Sequence, residues 1–83
     1  MINQGSIVRP TAGRNQDRFF VVVSVDENTA LISDGRKRKL ENPKRKKLKH
    51  LQETGHSLEL PAVTTNKQLR KAITSLGLFK ASL

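Results

Sequence analysis

Between Arg36 and Lys49 the chain places nine bases: Arg36, Lys37, Arg38, Lys39, Lys44, Arg45, Lys46, Lys47 and Lys49. Glu41 is the one acid among them, so this stretch supplies +8 of the formal +9. The remainder of the chain, seven bases against six acids, is nearly neutral. The chemistry such a cluster can do is electrostatic. A polyanion meeting it releases condensed counterions; arginines offer planar forks that match phosphate oxygens, and lysines act as point charges. Catalysis has far weaker footing. His50 and His56 are the only histidines and there is no cysteine, so no ligand set has metal-site spacing. Asp17, Asp26 and Asp34 all stand in turn-rich stretches, where Asp bonds its own backbone, and nothing pairs them with a base or nucleophile. No glycine-rich phosphate loop precedes a helix. The residues read as a binding protein rather than an enzyme, with no cofactor, no metal and no small-molecule substrate. His50, beside Lys49, joins the phosphate-contacting set.

A sequence pI near 10.7 selects between polyanions. A basic helix that binds a membrane surface needs Trp, Phe or Leu beside its charges. Residues 36–49 offer only Leu40 and Leu48, and Pro43 interrupts any helix, so nucleic acid is favoured over membrane. The longest apolar run, Phe19 to Val23, is too short to span a bilayer, and no charged-then-apolar signal opens the chain. Together with the absence of cysteine this leads to the expectation of a soluble, non-secreted, cytoplasmic protein. With no Tyr or Trp, and Phe19 and Phe20 assigned to the core, stacking platforms for single strands are missing, so structured RNA held by backbone and shape fits best.

The elements that must position these charges follow from local pattern. At 83 residues there is room for one small domain with a thin core. Ser6 to Arg9 reads as a short strand ended by Pro10, and Thr11 to Asp17 as a turn. Arg18 to Val25 is the clearest strand, with Phe19, Val21, Val23 and Val25 on one face and Phe20, Val22 and Ser24 on the other. Two apolar faces suggest a strand inside a small barrel. After a turn at Asp26-Glu27-Asn28, Thr29 to Ser33 forms a strand, and Asp34-Gly35 predicts a hairpin returning Arg36 to Leu40 antiparallel to it. Bases on both sides of that return strand place it at an edge. Glu41-Asn42-Pro43 should break it and release Lys44 to Lys47 as a flexible basic loop, before a closing strand or turn at Leu48 to Leu51. Gln52 to Val63 reads as a loose connector. Thr65 or Asn66 can cap a helix over residues 66–76, with Gly77 at its end and an apolar stripe of Leu69, Ile73 and Leu76, extended by Phe79. The domain organisation is then residues 1–54 as the barrel and 55–83 as connector and amphipathic helix. Arg14 and Arg18, flanking the first loop, either extend the basic surface or, for Arg18, pair with Asp17 or another nearby acid.

Gly5-x-Ile7-Val8, Thr11-Ala12-Gly13-Arg14-Asn15 and Phe19-Phe20-Val21-Val22-Val23 together resemble the KOW motif, in the subtype of the fourteen-e protein of the archaeal and eukaryotic large ribosomal subunit. Asp34-Gly35-Arg36 followed by Pro43-Lys44-Arg45-Lys46-Lys47-Leu48-Lys49-His50-Leu51 is similar to short bacterial KOW RNA-binding proteins. The resemblance covers roughly residues 3 to 51. It implies an SH3-like β-barrel and non-catalytic binding of ribosomal or other structured RNA, alongside ribosomal proteins. With the helix read from the pattern above, the expected fold is mainly β, a small SH3-like barrel with a short C-terminal helix, and the role of the tail from Gln52 onward stays open. The family carries an Asp and a Gly in the turn where this chain has Asn15 and Asp17, which leaves that backbone less free. A second reading keeps the KOW fold but makes it a protein-interaction adaptor in transcription or translation, gripping a partner by the barrel or by the Leu69/Ile73/Leu76 helix.

Overall fold

The computed structural model describes residues 1–11 and 18–77. It is mainly β. Strands β1 (Ser6–Pro10), β2 (Phe20–Val25), β3 (Thr29–Ser33), β4 (Lys44–Lys47) and β5 (Leu51–Ser57) precede a single α-helix among the described residues, α1 (Asn66–Ser75), and short 3-10 turns occupy Leu48–His50 and Leu60–Ala62. The strands form one antiparallel sheet in the order β4-β3-β2-β1-β5. The edges, β4 and β5, do not pair with each other, so the sheet is not closed into a barrel. It is strongly curled all the same. Only Leu48–His50 separate the two edge strands, so Lys47 and Leu51 stand about 14 Å apart at most. In a flat five-stranded sheet those edges would stand roughly 19 Å apart.

Curling gives the sheet an inside and an outside, and the strand sequences supply an apolar set for each. Val8, Phe20, Val22, Ala30, Ile32 and Leu51 are buried on the inside, with Ile2 and Leu48 packed against them. On the other face Ile7 and Val21 meet Leu69 and Ile73 of α1, flanked by Phe19, Val23, Leu40, Leu58, Leu60, Val63 and Leu76. The alternation read along Phe19 to Val23 is therefore the alternation between the two cores. It fails beyond Val23: the register against β3 shifts between Val22 and Ser24, and Val25 is exposed. Strand β2 itself starts at Phe20, two residues later than the pattern suggests, and Pro10 is the last residue of β1 rather than the residue after it.

Helix α1 would be marginal alone at ten residues. Two devices hold it. Gln68 N–H donates to Thr65 Oγ at 3.1 Å while Thr65 N–H donates to Gln68 Oε1 at 3.3 Å, a reciprocal capping box. Burial of Leu69 (0% exposed) and Ile73 (3%) against the sheet contributes about 1.5–3 kcal/mol each. The apolar stripe is thus consumed by intramolecular packing. Phe79 lies outside the described residues.

Three sequence expectations are corrected. Arg36 to Leu40 is not a return strand: residues 34–43 form a wide loop, and the antiparallel partner of β3 is Lys44–Lys47. Those four residues are accordingly an edge strand, not a flexible loop. Gln52 to Val63 is not a loose connector, because β5 runs to Ser57 and pairs with β1 from Pro10↔Leu51 to Ser6↔Ser57. A bulge near Gly55 (φ +86°) accommodates that pairing, and Thr54 Oγ–H donates to the Ile7 carbonyl at 2.9 Å beside it. The division drawn after residue 54 falls within β5.

Candidate functional site

The loop between β3 and β4 is built on Asp34. Its carboxylate, 5% exposed, accepts the backbone N–H of Arg36 at 2.8 Å and of Arg38 at 3.1 Å, both on Oδ1. The Arg38 carbonyl closes the loop from the other side, accepting Asp34 N–H at 3.0 Å, Gly35 N–H at 3.1 Å and Ser33 Oγ–H at 2.6 Å. An Asp bonding backbone groups ahead of it is the expected turn chemistry, but here it winds residues 34–38 into a knot instead of a two-residue hairpin. Gly35 has φ +77°, and a β-carbon on it would stand 2.7 Å from the Asn66 carbonyl oxygen. Helix α1 seats against that bare backbone. Arg70 Nη1 donates to the Gly35 carbonyl at 2.8 Å.

Farther along, Leu40 N–H donates to Asn66 Oδ1 at 2.8 Å, and Asn66 Nδ2 donates to Glu41 Oε1 at 2.9 Å. This last bond, with the Glu41 backbone and the nearby charge of Lys39, holds the Glu41 carboxyl below its ordinary value of 4.5. The loop is therefore tied at both ends, to β3 by Asp34 and to the start of α1 by Asn66.

The charged side chains fall out in order. Arg36, Lys37 and Lys39 are exposed on the loop and Arg38 is half-buried. In β4 the register pairs Lys44 with Ile32 and Lys46 with Ala30, which places both lysines on the inner-core side of the sheet, half-buried. Half-burial of this kind suits lysine, whose stem can lie along apolar surface while its ammonium stays in water. Arg45 and Lys47 pair with Leu31 and Thr29 on the opposite side and are exposed, Arg45 Nη1 donating to Thr29 Oγ at 3.2 Å. Lys49 is exposed and His50 half-buried on the 3-10 turn, whose Leu48 N–H bonds the Asn28 carbonyl at 2.9 Å. A shallow depression of about 510 Å³ lies between Asn28, Thr29, Lys47, Leu48 and Lys49. So Arg36, Lys37, Arg38, Lys39, Lys44, Arg45, Lys46, Lys47, Lys49 and His50 are brought together along one edge of the sheet and the loop that leads into it. Lysine on an edge strand also blocks pairing with another chain, a structural service that Lys44 to Lys47 perform whatever else they bind.

Arg18 is set apart. Its Nη1 lies 3.5 Å from Asp34 Oδ2, so part of its charge is already answered. Arg14 lies outside the described residues. No protein-family model matches the chain. Among the described residues, no three His, Asp or Glu side chains are gathered as a metal site would require, and no helix is long and apolar enough to cross a membrane.

Lys67, Arg70 and Lys71 are functional candidates that the sequence expectations leave out. On that reading the helix counts for its apolar stripe, and everything outside residues 36–49 is neutral on balance. The signal is present nonetheless: Lys67, Arg70, Lys71 and Thr74 recur at i, i+3, i+4 and i+7, a polar stripe on one face of α1. The acids that balance these bases in the composition lie elsewhere in the chain, between Asp17 and Glu59.

Proposed function

We propose that this protein is a non-catalytic RNA-binding protein of the KOW type, cytoplasmic and ribosome- or ribosomal-RNA-associated, that holds structured RNA by its backbone phosphates. Arg36, Lys37, Arg38, Lys39, Lys44, Arg45, Lys46, Lys47, Lys49 and His50 make the contacts, with Arg14 and Arg18 in support. The observation that carries the reading is the placement of Lys44–Lys47 as a pinned edge strand behind a loop tied at Asp34 and Asn66. An edge strand whose backbone is already ordered is spared that part of the ordering cost when its cations meet a polyanion that is itself rigid. Structured RNA is such a polyanion, and it is recognised through shape and phosphates rather than through base edges. The open, curled sheet is compatible with an SH3-like barrel whose last seam is left unpaired.

Arg18 contributes least, since Asp34 already pairs with it. If six to ten phosphates are engaged, affinity falls about 10³- to 10⁵-fold between 50 and 200 mM salt. The test is co-sedimentation with ribosomes of a variant carrying Arg45→Glu, Lys47→Glu and Lys49→Glu, three exposed positions whose side chains close no core. Loss of sedimentation is expected. Sedimentation that survives the reversal, or a flat salt titration, overturns the phosphate reading and points to a protein partner instead.

A further inference from the structure

The loop that carries Arg36 and the helix α1 border an open groove that the basic-edge reading does not use. Arg36, Lys67, Arg70, Lys71, Thr74 and Ser75 line a cavity of about 410 Å³. Four cations and two hydroxyls face it, and among the described residues no acid does. A second cavity of about 200 Å³ shares Arg36, Arg70 and Thr74 with it and is lined as well by Arg18, Phe19, Asp34 and Ile73. The one acid lining that inner cavity, Asp34, has its Oδ2 beside Arg18.

We infer that this groove is a second phosphate-binding site for the same RNA, which crosses from the outer side of β4 past Arg36 onto helix α1. The inference rests on the proposed RNA-binding function and assigns to it three residues, Lys67, Arg70 and Lys71, outside the basic segment. Three observations favour a nucleic-acid backbone. First, register places Arg45 and Lys47 on the same side of the sheet as Ser33 and Val21, the side on which α1 packs, so the strand and helix cations share a face. Second, the stripe from Lys67 to Thr74 is about 10 Å long at 1.5 Å per residue. That length suits a row of phosphates along a strand better than a single converging anion. Third, Leu69 and Ile73 are buried against the sheet, which leaves α1 no apolar face to insert into a lipid surface. Arg70 is set in place before any ligand arrives by its bond to the Gly35 carbonyl, and Lys67 and Lys71 stand exposed on either side of it in sequence.

The test is the salt dependence of binding to ribosomal RNA for the full chain and for a Lys67→Ala, Lys71→Ala variant, with thermal unfolding as a control. Alanine favours the helix and the two side chains are exposed, so the fold should be retained. The slope of log K against log salt should fall by about 2, one for each phosphate that the variant no longer neutralises. An unchanged slope, with the unaltered protein still binding steeply, overturns the groove and leaves the basic edge standing. A flat salt dependence in the unaltered protein overturns both. A Lys67→Glu, Lys71→Glu variant sharpens the first comparison, because added repulsion must weaken binding if RNA passes over α1 and leaves it unchanged if it does not.

Discussion

Replacing Asp34 should do more damage than its place in a surface loop suggests. Its Oδ1 accepts two backbone N–H groups at 2.8 and 3.1 Å from within the protein. A hydrogen bond to a charged group contributes about 1.5–3 kcal/mol. Water can reach the Arg36 and Arg38 amides once the carboxylate is gone, which recovers part of that. The pair with Arg18, whose side chain is 41% exposed, adds less than about 1 kcal/mol. The net expectation for Asp34→Ala is a loss of about 2–4 kcal/mol. For a domain of this size that lowers the melting temperature by at least about 8 °C. Asp34→Asn keeps a neutral oxygen where Oδ1 stands and loses the ion pair, so its cost should be smaller, about 1–2 kcal/mol. Urea unfolding followed by circular dichroism measures both, and amide exchange at Arg36 and Arg38 shows whether the loop opens locally. An Asp34→Ala variant within about 0.5 kcal/mol of the parent would refute the claim that this carboxylate builds the loop. So would an Asn variant as unstable as the Ala one, since it would put the stability in the charge pair instead.

Three further outcomes follow from the same geometry. Gly35→Ala forces a β-carbon into the left-handed region and to within 2.7 Å of the Asn66 carbonyl oxygen; a loss of at least about 2 kcal/mol is expected by urea unfolding, with faster amide exchange at the start of α1. Leu69→Ala should cost about 2–5 kcal/mol and Phe20→Ala about 3–5 kcal/mol, each lowering one shared unfolding transition, since the residues belong to cores on opposite faces of a single sheet. The Glu41 carboxyl should titrate below 4.5 in a carbon-13 NMR titration, and Asn66→Ala should move it back up. Because that pKa is lowered in the folded state, what it contributes to stability is present above the unfolded value and is lost as pH falls through the folded one.

How much of the fold is legible in the sequence depends on whether the signal is local. Strands β1 to β3 announce themselves through β-branched runs, and Phe20 and Val22 against Phe19, Val21 and Val23 already separate the two faces. The helix is legible too, because Thr65, Gln68 and Gly77 mark its ends with residues that bond or bend the backbone. What fails requires knowledge of the whole sheet. Asp34-Gly35 is a hairpin signal by itself, yet the Asp34 carboxylate is buried and captures the amides that a return strand would have used. Leu40 is drawn to the helix-side core, leaving Lys44–Lys47 as the partner for Ala30 and Ile32. Strand β5 carries a single buried apolar residue, Leu51, and pairs because β1 presents an open edge, an override of propensity by tertiary context. The charge block is plain in the sequence, but the expected division of it is inverted: the half before Pro43 is the wide turn, and the run beyond Pro43 is the strand. The helix cations are hidden by averaging charge over residues that the fold places on different surfaces.

An ordered cationic edge, continued onto α1, is proposed to receive RNA phosphates. The most direct test is a map of ribosomal RNA onto the protein by amide chemical-shift changes in nitrogen-15 NMR. If RNA lies there, shifts concentrate on residues 36–49 and 67–75 and fade together as salt is raised, with Glu53 to Ser57 of β5 unmoved. Shifts centred on β5, or none at RNA concentrations that saturate the protein in a parallel binding assay, would contradict it.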